Sequence, residues 1–470
     1  MLRTMSKWGG VAALSVLLAS PLQAAVSAQQ AAQLGQSLTP FGAPKEGNGK
    51  DVSTGLGIPA WTGGIQESDI PASYTRPGQH HPDPFANDNV VIKIDAQNLN
   101  QYADKVPEGV QEMLRTYSDT FHLNVYPSRR STSAPQWVYD NTKTNATRAN
   151  LLPTGVENTF GGKPFPILHG SNEEKALQAI WNHILRWRGQ YVVRRASEVA
   201  VQRNGSYSLV TTQQEVMFRY YDNDNYSADT LDNIIFYYLA FTTAPARLAG
   251  GAVLVHETLD QAKMARQAWG YNAGQRRVLR SPNLAYDSPI AAADGLRTAD
   301  DTDMYNGAPD KYNWTLVSDE PVEMFIPYNN YKIASPDIKY SDLLMRGHIN
   351  PDHQRWELHR VWVVEANLKP GERHLYAKRR FYIDADSWQV AAVDQYDRRG
   401  ELTRVSLAYI KNFYEVPTQW TALDVFHDLR AERYHVQSLV NEENSTLDFS
   451  QSIPSESYFH PAALRRRGRG

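Results

Sequence analysis

The chain has 470 residues, a formal net charge of −3, no cysteine, 26 tyrosines and 11 tryptophans. The lack of cysteine excludes disulfides and thiolate metal sites, and the mild acidity gives no electrostatic footprint for nucleic acid. A chain of this length can bury a large core without such cross-links. Tyrosine and tryptophan combine an apolar body with a polar tip, which suits strands and partly solvated pockets.

The first residues carry the pattern of a secretory signal peptide. Arg3 and Lys7 precede a short apolar run over residues 11–19, and small residues cluster near Ala24. Basic, apolar and small residues in this order are typical of export signals, and the run is too short to span a membrane. We therefore expect residues 1–24 to be a signal peptide cut near Ala24, and the mature protein to be soluble in the periplasm.

Residues 25–90 are predicted to form an irregular N-terminal arm. Prolines and glycines recur there, and no helical period persists, a composition that favours turns and loops. Ile58, Trp61, Ile65 and Tyr74 have the character of buried anchors. We therefore expect the arm to lie over the folded body of the protein.

The clearest helix is predicted over residues 173–187. Its apolar residues recur at a spacing of three and four, which places them on one stripe: Leu177, Ile180, Trp181, Ile184 and Leu185. A second helix is predicted over 107–120 and a short one near 340–345. Residues 123–126 and 136–139, in contrast, resemble strands.

After Gly189 the sequence changes to an alternation with period two, which is typical of strands. Strands are predicted over 191–202, 207–221, 234–242, 252–259, 266–271, 276–279, 359–368, 374–384, 388–397 and 402–409. The last four are separated by turns that join antiparallel neighbours. Residues 294–319 are predicted to be a long polar loop and 461–470 a basic tail.

The pattern predicts a mainly β protein of the α+β class. Residues 91–460 are expected to form one large curved antiparallel sheet or incomplete barrel, with helices in its concave mouth.

Short matches to catalytic and cofactor-binding motifs occur, but each lacks the flanking structure or residues that the motif requires. Residues 55–60 match a dinucleotide fingerprint, but no strand precedes them and Pro59 disturbs the helix start that a phosphate needs. Residues 256–260 begin like a zinc-protease helix but have Asp260 where the second histidine belongs. We therefore predict no catalytic residues, no cofactor and no metal site.

The acidic residues Asp300, Asp301 and Asp303 leave one alternative open. Close carboxylates can bind calcium. A solvated or locally hydrogen-bonded turn also explains such a cluster and is the preferred interpretation.

Several longer motifs are more distinctive than these. They are Ile58 to Ile65, Pro82 to Asn87, Trp269 to Tyr271, Gly274 to Val278, Asp301 to Gly307, Trp356 to Ala366, Tyr376 to Trp388 and Tyr396-Asp397. Together they resemble a bacterial family known as domain of unknown function 1329, over nearly the whole mature chain. The resemblance implies an exported protein whose fold is similar to the lipoprotein carriers of the outer-membrane sorting pathway. It also implies a neighbouring lipid-efflux pump of the resistance-nodulation-division class, and it carries over no catalytic residue.

The function predicted on these grounds is a periplasmic, non-catalytic binder or carrier of a lipid or other hydrophobic molecule. Its partner would be an inner-membrane transporter of the resistance-nodulation-division class. The residues expected to line the cavity are Trp181, Ile184, Leu185, Phe236, Trp269, Tyr271 and Trp362. The alternative is an envelope-assembly or polysaccharide-binding protein that stacks exposed tryptophan and tyrosine rings on sugars.

Overall fold

The structure is a computed structural model that describes residues 25–261, 263–281 and 287–467. The predicted signal peptide, residues 1–24, lies outside the described residues. The helices are α1 (Ala28–Ala31), α2 (Glu108–Thr116), α3 (Gln136–Ala146), α4 (Asn172–Ile184), α5 (Tyr340–Leu343) and α6 (Pro461–Arg467).

The strands follow two long series with a few short strands around them. The first ten are β1 (Ile92–Ile94), β2 (Leu123–Val125), β3 (Asn150–Leu151), β4 (Val156–Glu157), β5 (Tyr191–Val201), β6 (Leu209–Met217), β7 (Ile234–Ala244), β8 (Ala252–Thr258), β9 (Gln267–Asn272) and β10 (Arg277–Ser281). The others are β11 (Tyr312–Leu316), β12 (Val322–Pro327), β13 (Trp356–Leu368), β14 (Lys378–Asp384), β15 (Val390–Tyr396), β16 (Leu402–Phe413), β17 (Thr418–Asp428) and β18 (Arg433–Leu439).

Sixteen of the described strands form one sheet, and β3 and β4 form a separate pair. The order is β1-β2-β13-β14-β15-β16-β17-β18-β5-β6-β7-β8-β9-β10, and β11 and β12 also pair with β13. Neighbours are antiparallel except β2 and β13. Among the described strands nothing pairs β10 with the other end, so the sheet stays open. The predicted mainly β fold with a large antiparallel sheet is confirmed.

Two meanders make up most of this sheet. Strands β5 to β10 form one and β13 to β18 the other, each through consecutive antiparallel neighbours. The pairing of β18 with β5 joins them, with Tyr434 opposite Val201 and Val436 opposite Val199. Strands from the two halves of the chain therefore lie side by side in the middle of the sheet.

Two buried clusters cover the opposite faces of the first meander. On β7, Phe236 and Tyr238 pack against the large core cluster, whereas the alternate residues Tyr237 and Leu239 belong to a second, smaller one. Side chains that alternate along a strand point to opposite faces. We call the face that carries Phe236 the inner face and the other the outer face.

The C-terminal segment covers the outer face. Phe459 and Leu464 are buried in the smaller cluster, and the Phe459 ring stacks on Tyr237 with centroids 5.2 Å apart. The segment that the sequence suggested to be a solvated basic tail therefore begins as α6 and buries an apolar side. The sequence pattern did not show this because arginines dominate the last residues.

The N-terminal segment lies against the folded body through named contacts. Ile58 is buried in the large core cluster and Ile65 in a small cluster with Tyr414. The Trp61 indole donates a hydrogen bond of 3.0 Å to the carbonyl of Thr132. The position of the arm agrees with the expectation from its anchors.

Helix α4 is confirmed where the apolar stripe predicted it, apart from its last turn. Ser171 caps its start, because its hydroxyl accepts from the backbone of Glu174 while the Glu174 carboxylate accepts from the backbone of Ser171. Residues 185–187, predicted as helix, follow its end at Ile184.

Two local predictions were wrong. Residues 136–139, predicted as a strand, form the first turn of α3; the buried residues further along it include the polar Thr142 and Asn145, which hid the helical period. The loop predicted over 294–319 contains β11, in which Tyr312, Trp314 and Leu316 are buried and alternate with exposed residues. Strands β12, β17 and β18 were not predicted.

Candidate functional site

One guanidinium shows that the middle of the sheet is strongly curved. Arg188, just beyond α4, lies 4.7 Å from the ring centroid of Phe218, 5.8 Å from that of Phe236 and 5.9 Å from that of Trp420. Phe236 is on β7 and Trp420 on β17, four strands apart. In a flat sheet such strands lie about 19 Å apart. One cation can approach both rings only if the inner face is concave.

Arg194 on β5 joins the same group of side chains. Its guanidinium lies 5.7 Å from the Trp420 ring centroid, and its Nε donates to Oε1 of Gln214 on β6 at 2.6 Å. We call Arg188, Arg194, Phe218, Phe236 and Trp420 the concave cluster. It combines arginines with aromatic faces, which attract cations through the ring quadrupole.

Asp303 provides the counter-charge to two buried arginines. Its carboxylate accepts from Arg186 at 2.5 Å and from Arg188 at 2.6 Å. Burial alone would raise the pKa of Asp303, but these two arginines hold it well below the usual range. Burial, in turn, lowers the pKa of Arg188 to about 10 despite Asp303. The pair is therefore charged across the whole range near neutral pH.

His183 on α4 fixes the backbone at this carboxylate. Its Nδ1 accepts from the backbone N–H of Val390 at 3.1 Å, so Nε2 carries the proton and donates to the carbonyl of Asp303 at 2.8 Å. Burial, with Arg186 nearby, lowers the pKa of His183 to about 3, which keeps the ring neutral. Asp303 itself adopts φ = +56°, a conformation that aspartate and asparagine tolerate better than most residues.

Asp300 is satisfied by protein donors. It accepts from Arg379 at 2.6 Å and contacts His374 Nε2 at 3.1 Å. Burial raises its pKa, but Arg379 and His374 outweigh that effect and bring the pKa to about 2. Asp301 accepts from the Tyr376 hydroxyl at 2.7 Å. These contacts support the interpretation of the acidic cluster as a hydrogen-bonded structural element.

We expect a chelator to leave the thermal stability of the protein unchanged, because arginine, histidine and tyrosine already neutralise or hydrogen-bond Asp300, Asp301 and Asp303. Melting curves with and without EDTA check this. A fall in Tm of more than about 5 °C, equivalent to roughly 1 kcal/mol or more, would show a structural ion at these carboxylates.

A second group of possible metal ligands was missed by sequence reasoning. His359, Asp384 and Asp386 are buried, and one ligand atom from each lies within 4.8 Å of the others. Arg130, however, forms two hydrogen bonds to Asp386, at 2.9 and 2.7 Å. Burial and the neighbouring Asp386 raise the pKa of Asp384 to about 6. One of the three residues, Asp386, is therefore paired with a protein cation, and His359 lies too far from Asp384 and Asp386 in the sequence for the three to form a motif.

Toward β10, the inner face carries a short exposed apolar row. Val253, Gly270 and Leu279 lie directly opposite one another on β8, β9 and β10, so they share a face. Val253 in turn lies opposite Ala240, two residues along β7 from Tyr238 on the inner face. Val253 is 44% exposed and Leu279 is 55% exposed, and a Cβ added at Gly270 would meet no atom within 4 Å. Among the described residues none covers this row, which we call the open apolar row.

The structure places the seven predicted cavity residues in different surroundings. Trp181, Ile184 and Leu185 are buried in the large core cluster, and Trp362 stacks on Trp388 with centroids 6.1 Å apart. Phe236 belongs to the concave cluster.

Trp269 and Tyr271 lie instead on the outer face, in the cluster that Phe459 covers. They alternate with Gly270 along β9, so the period-two pattern places them on the opposite face from Gly270. The pattern alone does not show which of the two faces is concave. Contact of these seven residues with a ligand stays a prediction, and the geometry favours it for Phe236. Trp420 and Arg194 were not predicted, because Trp420 lies on the unpredicted strand β17.

The fold and this site define a protein built on one open, curved antiparallel sheet with an arginine- and aromatic-lined concave face. The chain belongs to the family described as protein of unknown function DUF1329, whose model matches residues 93–465. The family resemblance seen in the sequence is thereby confirmed. Among the described residues, no helix is long and apolar enough to cross a membrane.

Known proteins similar to this chain include one close relative. The "Uncharacterized protein PA3922" of Pseudomonas aeruginosa is 48% identical over 461 residues, which cover 98% of this chain and 97% of the relative. A solved putative outer membrane lipoprotein-sorting protein domain from Vibrio parahaemolyticus is 15% identical, with a TM-score of 0.43, over 63% of this chain and all of that chain. A DUF1329 family protein from Desulfovibrio piger is 14% identical, with a TM-score of 0.42, over the same shares.

Proposed function

We propose that the protein is a periplasmic, non-catalytic binder or carrier of a hydrophobic molecule, which it holds on the inner face of the curved sheet. The observation that carries this proposal is the open apolar row beside the concave cluster. Val253 and Leu279 are exposed on the concave side, where curvature lets several strands enclose one ligand. Exposed apolar surface of this kind marks binding grooves.

The energetics of the inner face suit an acyl chain. Each methylene that leaves water contributes about 0.8 kcal/mol. The free space next to Gly270 lets a chain lie on the sheet without displacing side chains, and Phe236 and Trp420 would contact it further along the face. A molecule with a long hydrocarbon part therefore gains most from this surface.

The Asp303 carboxylate is not arranged for acid–base catalysis. Asp303 is held charged by Arg186 and Arg188, which leaves it unsuited to take up a proton near neutral pH. Export to the periplasm rests on the signal-peptide pattern. A partnership with a resistance-nodulation-division transporter rests on the family resemblance alone.

The polysaccharide-binding alternative loses its main support. It requires exposed rings for stacking on sugars, but every tryptophan in the described part of the chain is buried or half-buried. We therefore favour the hydrophobic ligand.

A tryptophan at Gly270 tests the location of the ligand. Gly270 lies on β9 with no neighbour at its Cβ position, so Gly270→Trp should fold and fill the free space. We expect it to weaken binding of the hydrophobic fluorophore 1-N-phenylnaphthylamine by about tenfold or more, a loss of roughly 1.4 kcal/mol. Fluorescence titration measures this.

The matched control is Gly274→Trp, in the exposed turn between β9 and β10. It adds the same indole outside the concave face and should leave the affinity unchanged. Equal binding by wild type and Gly270→Trp, with both proteins folded, would contradict a ligand on the inner face.

A further inference from the structure

The arginines on the inner face differ in their partners. Arg188 pairs with Asp303 at 2.6 Å, and Arg297 approaches Glu198 at 4.0 Å. Arg194 has only neutral partners: Nε donates to Gln214 at 2.6 Å and Nη1 donates to the hydroxyl of Ser438 at 3.0 Å. Within the described residues, no carboxylate oxygen lies within 4.0 Å of its guanidinium. Arg194 is thus a cation without a contacting counter-charge.

The surroundings of Arg194 make this unusual. Its side chain is half-buried, and burial lowers its pKa. A buried charge is costly unless it is paired, and the Trp420 ring compensates only part of that cost. Arg194 lies in register with the open apolar row, through Gln214 on β6 and Ala240 on β7, which is opposite Val253. A ligand whose tail lies on that row would therefore point its head group along the same line toward Arg194.

Asp424 on β17 provides a second, independent observation. It is buried, and its Oδ1 has no hydrogen-bond partner. Burial, followed by the nearby charge of Asp303, raises the pKa of Asp424 to about 7, so it neutralises Arg194 only in part. An unpaired buried oxygen is costly, which points to a ligand group that completes the hydrogen bonding here.

We propose that the concave cluster recognises the anionic head group of an amphiphile, with Arg194 as the contacting cation and the apolar tail on the open apolar row. This inference rests on the proposed function and adds the chemistry of the head group. A carboxylate or a phosphate oxygen would accept from the guanidinium, and charge-assisted hydrogen bonds of this kind are about twice as strong as neutral ones. A hydroxyl or a protonated oxygen of the same head group would donate to Asp424.

The test compares three ligands that share one acyl chain: oleate, oleoyl lysophosphatidate and the neutral oleyl alcohol. We expect the wild type to bind one or both anions at least about tenfold more tightly than the alcohol. Arg194→Gln should remove this preference while it still binds the alcohol. Arg194→Lys, which keeps the positive charge, should still bind the anions more tightly than the alcohol. Binding of only one of the two anions identifies the head group as carboxylate or phosphate.

Arg195→Gln is the matched control. Arg195 follows on the same strand but is exposed and pairs with Glu443 at 2.8 Å, so its loss should leave the preference unchanged. Equal affinity of the wild type for all three ligands overturns the inference, whether or not the variants fold. So does a preference that survives in folded Arg194→Gln. Failure to bind any of the three contradicts the proposed function itself.

Discussion

Asp303→Asn is expected to reduce the free energy of unfolding by about 3–5 kcal/mol. Asparagine keeps the shape of the side chain and tolerates the positive φ of this position, so the change isolates the charge. Without the carboxylate, the buried Arg186 and Arg188 face each other with no counter-ion. Urea unfolding at pH 7 measures the loss.

The matched control is Asp319→Asn. Asp319 pairs with Lys175 at 2.8 Å but is largely exposed, and such pairs contribute about 0–1 kcal/mol. The pKa of Asp303 is lower in the folded state than in the unfolded state. The ionised carboxylate therefore contributes its full share to the free energy of unfolding above the ordinary carboxyl pKa, about 3.9. This contribution is lost as the pH falls below that value. The difference between wild type and Asp303→Asn should therefore narrow below about pH 4. Equal unfolding free energies of the two proteins at pH 7 would show that the ion network adds no stability.

Trp181→Ala is expected to cost about 3–5 kcal/mol, because the rigid surroundings cannot close the void left by an indole. Trp181 is 1% exposed and lies in the last turn of α4, within the large core cluster. Urea unfolding again gives the value, and titration with 1-N-phenylnaphthylamine on the same protein gives the effect on binding.

Trp181→Phe separates the volume of the ring from its polar atom. The indole Nε1 of Trp181 has no hydrogen-bond partner, so its removal leaves no acceptor unpaired. We expect the phenylalanine variant to lose clearly less stability than Trp181→Ala. A cost of Trp181→Ala below about 1 kcal/mol, together with altered probe binding, would instead place Trp181 on the wall of the ligand space.

The sequence predicts the elements whose burial follows a regular period. Helix α4 has its apolar stripe, and the strands of the first meander alternate in period two, so their bounds agree closely with the structure. The same rule predicts β11 in hindsight, because Tyr312, Trp314 and Leu316 alternate with exposed residues. Helix α3 could not be found in this way, because it buries polar residues toward the core.

The candidate site was less predictable, for two physical reasons. Alternation assigns residues to two faces but does not say which face is concave, so Tyr271 and Phe236 could not be separated. The concave cluster also joins residues that are distant in sequence, such as Arg194 and Trp420, which only the pairing of β18 with β5 brings together. Pairings between distant strands have no local sequence signal.

The central claim is that the inner face holds a hydrophobic ligand, and native mass spectrometry of protein purified from the periplasm without detergent tests it most directly. We predict a species heavier than the polypeptide by the mass of one amphiphile, and extraction with organic solvent should identify that amphiphile. The fraction of protein that carries it should fall in Gly270→Trp but not in Gly274→Trp. A spectrum with only the bare polypeptide, from protein that also fails to take up added oleate, oleoyl lysophosphatidate or oleyl alcohol, would contradict the account.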